Sequence, residues 1–142
     1  KYFGVKRFDR TQSGKVHTIS AAGLLNANYR EPSLDYESLL NATFHLTRNM
    51  GEVIKLFRIM VFNVVIKNKD DHAKNFSFQY VDDEWKLAPA YDLLPSSGFN
   101  GEHTTSVNGN GNPTRNDLLT VASRVGISSD VASAILSQKM CT

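Results

Sequence analysis

Residues 52–66 constrain the fold of this chain more than any other segment, because they are apolar on nearly every side of a helical projection. Their polar residues form only a narrow stripe, which consists of Glu52, Lys55, Arg58 and Asn63. A helix with this pattern is buried among other elements. The sequence therefore predicts one central helix around which the rest of the domain packs.

A cluster of acid, imidazole, ammonium and carboxamide side chains follows at the carboxyl end of this helix. Within it, Asp70 and Asn75 have the spacing of the protein-kinase catalytic loop. A further acid, Asp92, lies where the chain is expected to return after a hairpin. Because a rigid helix is a suitable support for a site, we predict that these three residues form one.

Local patterns elsewhere predict short elements around that helix. Residues 2–8 and 15–20 predict two short strands or a hairpin, and alternation over residues 76–87 predicts another hairpin. Helices are predicted over residues 32–48, 114–125 and 128–139, with caps at Thr114 and at Ser128 or Ser129, and with Asp117 three residues after Thr114. Residues 98–113, rich in Gly, Asn, Ser and Thr, predict a long loop of the kind that is functional or mobile. The expected fold class is α+β, predominantly helical, with a small β-hairpin region.

The composition of the 142-residue chain is that of one ordinary globular domain, with 41% hydrophobic and 21% charged residues. Lys and Arg are scattered among acids at a formal net charge of +2, so direct binding of nucleic acid is not indicated. The single cysteine, Cys141, allows no disulfide framework, and the longest apolar run, residues 59–66, is too short to span a bilayer. We therefore expect a cytoplasmic protein without a membrane partner. Because the chain begins at Lys1 in the middle of a strand-like pattern, we interpret residues 1–142 as part of a longer polypeptide.

Phosphoryl transfer needs a carboxylate that orients the attacking hydroxyl, oxygen ligands for Mg²⁺, and a cation that offsets developing negative charge. Asp70 can fill the first role, Asn75 with Asp92 the second, and Lys74 the third. Mg²⁺ prefers hard oxygen ligands and keeps several waters, so one carboxamide and one carboxylate suffice beside the phosphates of a nucleotide. His72 is expected to fix the loop through a hydrogen bond or to touch a phosphate. The residues therefore indicate a Mg²⁺-dependent phosphoryl transfer.

Other interpretations remain open from the residues alone. Asp70 and Asp71 could be a solvated pair beyond a helix, although two acids at a carboxyl end oppose the helix dipole. Asp70, Asp71, His72 and Asp92 could instead gather metal around an attacking water in a phosphoesterase. A non-enzymatic module could dock a partner through residues 98–113 and the last two helices. The chain contains no Walker-type phosphate loop, so a kinase would take its glycine-rich loop from elsewhere.

Residues 70–77 (DDHAKNFS) and 89–93 (PAYDL) closely resemble the HipA-like family of bacterial serine/threonine kinases. The resemblance extends over nearly the whole chain, through residues 5–10, 20–25, 32–36, 101–105 and 112–115. It implies a mostly helical, kinase-like carboxyl-terminal lobe.

The same resemblance implies a role for each residue of the motifs. Asp70 matches the catalytic aspartate, and Asn75 and Asp92 match the magnesium ligands. The family positions near ATP are matched by His72, Ala73, Lys74, Asn75, Tyr91 and Asp92. Lys6, Arg7 and Phe8 match the hinge segment whose backbone meets the adenine, although Lys6 stands where the family commonly has an acid.

The resemblance also implies partners. Family members typically pair, as toxins, with a HipB-like helix-turn-helix antitoxin that binds operator DNA, so contact with DNA would be indirect. Some members phosphorylate aminoacyl-tRNA synthetases, which starves translation and favours persistence. The family's amino-terminal lobe, with its phosphate-gripping loop and ATP-binding lysine, has no counterpart in residues 1–142.

Overall fold

The computed structural model describes residues 2, 4, 6–25, 34–98 and 100–140, with side chains up to residue 138. Five α-helices and five short strands lie in this part of the chain, and more of its residues are helical than extended. In chain order the elements are β1 (Arg10–Thr11), β2 (Gly14–Lys15), β3 (His17–Ser20), α1 (Ala21–Leu24), α2 (Tyr36–Thr47), α3 (Met50–Val65), β4 (Ser77–Val81), β5 (Glu84–Leu87), α4 (Arg115–Arg124) and α5 (Ser129–Met140). The predicted α+β class is confirmed. Helices and strands are equal in number in this part of the chain, but the helices contain more residues.

The predicted central helix is α3. It begins after Asn49, whose side chain accepts a hydrogen bond from the backbone N–H of Gly51 at 2.8 Å. Leu56, Phe57 and Met60 are fully buried, and the helix packs against α2, α5 and β5. Because each such side chain is worth about 1.5–3 kcal/mol on burial, tertiary packing rather than helix propensity holds α3 in place.

The polar stripe predicted along α3 is only half exposed. Lys55 and Arg58 face solvent, whereas Glu52 is 5% and Asn63 2% exposed. These two buried residues are about three helical turns apart and therefore share one face of the helix. Glu52 accepts a hydrogen bond from the backbone N–H of Leu87 at 2.8 Å, which ties α3 to β5.

Helix α2 begins at Tyr36; residues 32–33, where the sequence predicted its start, lie outside the described residues. Asp35 caps it, with its side chain accepting from a backbone N–H of the first turn. The N–H of Tyr36 donates to the carbonyl of Ser106 at 2.9 Å, so the chain before α2 is extended and paired with another segment. The helix ends as predicted, at Arg48, whose φ of 53° is left-handed.

The strands form two antiparallel sheets. β1 pairs with β2, and in the second sheet β4 lies between β3 and β5. The register of the larger sheet places Phe78 opposite both Ile19 and Leu87. The predicted hairpin over residues 76–87 is confirmed, with Asp82 and Asp83 in the left-handed conformation that a tight hairpin turn requires.

The strand predicted over residues 2–8 is wrong for the described residues of that run. The first hairpin is formed further along by β1 and β2, and β3 pairs with β4 instead of with the earlier run. Residues 7 and 8 make other contacts in place of a strand pairing. The carbonyl of Phe8 accepts a hydrogen bond from the Gln79 side chain at 2.8 Å, and Arg7 forms a local ion pair with Asp9 at 2.6 Å.

The predicted loop over residues 98–113 is confirmed, but its centre is packed into the domain. His103, Thr105 and Val107 are buried. Gly98 has a φ of +65°, and an added Cβ would lie 2.6 Å from the Cβ of Lys69. Only glycine therefore fits where this loop meets the segment after α3.

The last two helices agree with the sequence patterns. At the start of α4, the carboxylate of Asp117 accepts a hydrogen bond from the backbone N–H of Thr114 at 2.8 Å, which is the reciprocal bond of a capping box. At the start of α5, the hydroxyl of Ser128 accepts from the N–H of Val131 at 3.4 Å. No helix among the described residues combines the length and the hydropathy needed to cross a bilayer.

Candidate active site

The loop that follows α3 holds Asp70 and Asn75 together. The carboxylate-bearing side chain of Asp70 is 63% exposed, and the amide nitrogen of Asn75 donates a hydrogen bond to the backbone carbonyl of Asp70 at 2.7 Å. Residues 73–75 form one turn of 3-10 helix, which brings Asn75 back toward Asp70. Because the NH₂ group of the carboxamide is the donor, its oxygen stays available to another ligand.

Asp92 combines a fixed backbone with an exposed side chain. Its φ of 54° is left-handed, a conformation that aspartate tolerates better than most residues. Its carbonyl accepts a hydrogen bond from the Asn68 side chain at 3.0 Å. The carboxylate makes no hydrogen bond within the described part of the chain, so it is free to bind a cation.

Tyr91 ties the segment before Asp92 to the segment before Asn75. Its hydroxyl donates to the carbonyl of Lys74 at 2.5 Å and lies 2.8 Å from the hydroxyl of Ser77. Since a tyrosine has one hydroxyl proton, Ser77 donates in the second bond. Burial raises the pKa of Tyr91, and the charge of Asp92 raises it further, while the hydrogen bond from Ser77 opposes both.

Among the three hinge candidates, the structure places Phe8 against the site. Its ring stacks on Tyr91 with the centroids 5.6 Å apart and the planes 26° from parallel. Arg7 is exposed and paired with Asp9, and no hydrogen bond or ion pair joins Lys6 to the site among the described residues. The structure thus brings one of the three hinge side chains to Tyr91.

The remaining candidates lie on the 3-10 turn. Ala73 is buried in the core, whereas Lys74 is exposed and offers its carbonyl to Tyr91. His72 does not form the predicted hydrogen bond within the described chain. Its Nε2 lies 3.9 Å from the Asp70 carboxylate, which is too far for a hydrogen bond, and its Nδ1 is buried without a partner there.

The sequence interpretation missed the structural role of Asp71. Its carboxylate is fully buried and accepts hydrogen bonds from the Tyr36 hydroxyl and from Nδ1 of His103, both at 2.8 Å. Two backbone N–H groups, those of Thr104 and Thr105, donate to its other oxygen at 3.0 and 3.3 Å. Asp71 therefore faces the interior while its neighbour Asp70 faces solvent.

A second set of buried groups continues from Tyr36 to the backbone of Asp92. The amide of Asn63 donates to the Tyr36 hydroxyl at 3.1 Å, and Asn68 donates to the Asn63 side-chain oxygen at 3.0 Å. Asn68 also holds the carbonyl of Asp92. Burial raises the pKa of Tyr36 well above its ordinary value, and the nearby charge of Asp71 adds to this effect.

One sequence signal could have revealed these groups. Asn63 interrupts the apolar end of α3, at the position that shares a face with Glu52, and a polar residue there needs an internal partner. Asp71 offered no such signal, because its donors lie on α2 and on the loop at residues 103–105.

The metal set of a phosphoesterase is not assembled in the structure. Both oxygens of Asp71 are occupied by internal donors, so Asp71 cannot join Asp70, His72 and Asp92 around a metal. Within the described residues, no group of three or more His, Cys, Asp or Glu side chains is arranged to hold a metal ion. Oxygen ligands on Asn75 and Asp92 remain.

The chain is similar to known proteins over most of its length. Residues 1–141 match the model of the HipA-like C-terminal domain. The chain is 36% identical over 106 residues to a protein of Sinorhizobium fredii named "Putative kinase Y4mE". The aligned region covers 67% of this chain and 25% of that protein. It is 29% identical over 108 residues to a protein of Haemophilus influenzae named "Putative kinase", covering 68% of this chain and 32% of the relative.

The fold matches a solved structure as well. A chain in the Shewanella oneidensis complex of the toxin-antitoxin system HipA, HipB and operator DNA superposes with a TM-score of 0.76 at 16% identity, covering 94% of this chain and 38% of that chain. The fold is thus that of a HipA-type domain, and the family match covers nearly every residue. The chain belongs to the family of HipA-like carboxyl-terminal domains. It spans about a quarter to a third of the length of the curated relatives that it matches.

Proposed function

We propose that this chain is the carboxyl-terminal catalytic lobe of an ATP-dependent serine/threonine protein kinase. The observation that carries the proposal is the bond from the Asn75 amide to the Asp70 carbonyl. It leaves the Asn75 oxygen available beside an exposed carboxylate, which is how a kinase catalytic loop divides the work between base and metal ligand.

In this proposal Asp70 accepts a hydrogen bond from a Ser or Thr hydroxyl of a protein substrate and orients it for attack. Asn75 and Asp92 are the protein ligands of Mg²⁺, and their hard oxygen atoms suit that ion. Bound Mg²⁺ would neutralise charge on the phosphates of ATP. The positive charge of Lys74, an exposed residue of the 3-10 turn, would offset part of the negative charge that develops during transfer.

The nucleotide would lie between the catalytic loop and the segment that contains Phe8. The stacked rings of Phe8 and Tyr91 join this segment to the residue that precedes Asp92. An adenine held by the hinge backbone would therefore have a fixed position relative to the proposed metal ligands. His72 and Ala73 are proposed to lie near ATP, and Lys6 and Arg7 to contribute through their backbone.

A kinase of this kind also needs a glycine-rich loop and a lysine that grip the phosphates. The chain spans only part of its relatives, and we propose that another segment of the natural protein supplies both groups. Activity is therefore to be tested in the natural protein rather than in residues 1–142 alone.

The biological setting proposed here is that of a toxin. The solved relative is a complex of HipA with HipB and operator DNA, which supports a HipB-like helix-turn-helix antitoxin as partner and contact with DNA only through it. The proposed substrate is a protein Ser or Thr, with an aminoacyl-tRNA synthetase as the first candidate, and the proposed compartment is the cytoplasm.

Substitution of the proposed base tests this function most directly. Asp70→Asn in the natural protein keeps the shape of the side chain but removes its basicity, so transfer of the ATP γ-phosphate to protein should fall at least about a hundredfold. Asp83→Asn is the matched control, because Asp83 is an exposed acid in a hairpin turn where asparagine is equally suitable. Radiolabelled phosphate transfer and circular dichroism would be measured together. Full turnover by a folded Asp70→Asn protein would exclude the proposed role.

The non-enzymatic alternative is less well supported by the geometry. A docking role for residues 98–113 could use only part of this loop, because His103, Thr105 and Val107 are buried, whereas residues 100–102, 109 and 112 are exposed. Binding of a partner by the natural protein, without ATP binding in a Mg²⁺ titration, would nevertheless favour that alternative over the kinase.

A further inference from the structure

Asp70 and Asp71 are adjacent in sequence but opposite in environment. The side chain of Asp70 is 63% exposed and that of Asp71 is 0% exposed. A buried carboxylate is costly unless all its lone pairs are engaged. The partners of Asp71 therefore indicate what the rest of the domain requires of this position.

Each oxygen of Asp71 accepts two hydrogen bonds. One oxygen accepts from the backbone N–H groups of Thr104 and Thr105. The other accepts from the Tyr36 hydroxyl and from Nδ1 of His103, which is itself 3% exposed. Both oxygens of Asp71 are therefore fully engaged inside the domain.

The backbone on both sides of Asp70 is held by the same loop. Before it, the carbonyl of Lys69 accepts from the N–H and the hydroxyl of Thr104 at 3.1 and 3.0 Å. After it, the carbonyl of Asp71 accepts from the hydroxyl of Thr105. The carbonyl of Asp70 itself accepts a hydrogen bond from Asn75. The backbone of Asp70 is therefore fixed, and only its side chain can rotate.

The Asp71 carboxylate is also the start of a continuous path to the metal side of the site. From it, hydrogen bonds run through Tyr36, Asn63 and Asn68 to the carbonyl of Asp92. Asn63 and Asn68 are 2% and 3% exposed. The path therefore connects the segment that carries the proposed base with the segment that carries a proposed metal ligand.

We infer that Asp71 is a positioning residue that fixes the placement of Asp92 relative to Asp70, acting through Tyr36, Asn63 and Asn68. The inference rests on the proposed function and adds a residue that touches neither substrate nor metal. Partners behind metal ligands commonly change metal affinity by about 10–100-fold, and that range is expected here.

Tyr36→Phe is the deciding variant, because it removes one oxygen atom and leaves the other bonds of Asp71 in place. Without the hydroxyl, Asn63 loses its acceptor and the path to Asp92 is interrupted. We expect the dissociation constant of Mn²⁺, a paramagnetic stand-in for Mg²⁺, to rise about tenfold in the presence of ATP, as measured by electron paramagnetic resonance on the natural protein.

Thr43→Val is the matched control. Thr43 lies on the same helix, is fully buried, and donates its hydroxyl within α2 to the carbonyl of Leu39 at 2.8 Å. Its replacement removes a buried hydroxyl, as Tyr36→Phe does, but outside the path. An unchanged Mn²⁺ affinity in Tyr36→Phe, or an equal rise in Thr43→Val, would overturn the inference.

Asp71→Asn provides a second measurement. Its amide nitrogen would have to face the Tyr36 hydroxyl and His103, because two fixed backbone N–H groups occupy the other side. We expect kcat to fall about tenfold or more. Should this variant not fold, Tyr36→Phe decides alone. A kinase that depends on Asp70 but shows no change in Tyr36→Phe refutes only the positioning role, whereas a kinase that does not depend on Asp70 refutes the proposed function itself.

Discussion

The amide of Asn75 donates to the backbone carbonyl of Asp70 across 2.7 Å, so the side chain of one residue fixes the main chain of the other. The bond selects the orientation of the carboxamide and directs its oxygen away from the loop carbonyl. The two residues thus act as one unit, although Asp70 precedes the 3-10 turn and Asn75 is its last residue.

Asn75→Asp should separate the two roles of this carboxamide. The variant offers two carboxylate oxygens to a metal in place of one carboxamide oxygen but has no donor for the Asp70 carbonyl, so its carboxylate is repelled by that oxygen. We expect kcat/KM to fall at least about tenfold, with a loss of about 0.5–1.5 kcal/mol in the free energy of unfolding. Asn116→Asp, an exposed change in the first turn of α4, should leave both quantities nearly unchanged. An unchanged kcat/KM in Asn75→Asp would contradict this role of the hydrogen bond between Asn75 and Asp70.

Tyr91→Phe should loosen the contact between the Asp92 segment and the 3-10 turn. It removes the bonds to Lys74 and Ser77 but retains the ring that stacks on Phe8. We expect about 1 kcal/mol of destabilisation per hydrogen bond in urea unfolding, and a higher KM for ATP. Tyr80→Phe, at a partly exposed tyrosine on β4, should stay within about 0.5 kcal/mol of wild type. Equal effects in both variants would argue against a role of the Tyr91 hydroxyl.

Gly98→Ala and Gly101→Ala should differ although both glycines have a positive φ. An alanine at 98 would approach Lys69 at 2.6 Å, whereas nothing lies within 4 Å of a Cβ at 101. We expect about 1–2 kcal/mol of loss at position 101 from the left-handed conformation alone and a larger loss at position 98. Thermal unfolding would measure both. Activity should fall only in Gly98→Ala, because Lys69 precedes Asp70.

Asp117→Asn should destabilise the protein in a manner that depends on pH. The backbone N–H of Thr114 is the main cause that lowers the pKa of Asp117 from 3.8, with the side chains of Asn108 and Asn110 contributing. Because the pKa is lower in the folded state, the carboxylate stabilises the protein at pH values above the pKa of the unfolded state. This contribution is lost as the pH falls through the pKa of the folded state. The variant should therefore be about 1 kcal/mol less stable at pH 7.

The difference between wild type and Asp117→Asn should shrink in urea titrations as the pH falls below 3.8, the ordinary pKa of an aspartate. Asp130→Asn, an exposed acid in the first turn of α5, should show a smaller loss at pH 7. A loss in Asp117→Asn that is constant from pH 7 to pH 2 would exclude the carboxylate as its source.

Local sequence patterns were sufficient to predict the elements whose apolar residues recur with the period of a helix or a strand. Helix α3, the β4–β5 hairpin and the cap at Thr114 each depend on residues close together in sequence, and all were predicted. Residues 2–8 have strand-like composition too, but the described residues of this run are not extended strand, and the carbonyl of Phe8 accepts from the Gln79 side chain instead of from a strand backbone. The partner of a strand is a property of the whole chain, so composition alone could not reveal the outcome.

The candidate site divides in the same way. Asp70, Asn75 and Asp92 follow from spacing and from the return of the hairpin, whereas Asp71 is indistinguishable in sequence from its exposed neighbour. Its donors are 32 to 35 residues away along the chain, on α2 and on the loop at 103–105. Long-range contacts of this kind carry no local pattern.

The distance in sequence between Asp71 and its donors has a consequence for biosynthesis. During translation, the segment with Asp70 leaves the ribosome well before Thr104 and Thr105, which hold it from both sides. The loop cannot take its described shape until those two threonines have emerged. A nascent chain that ends before them would carry every proposed metal ligand and yet have no fixed place for its base.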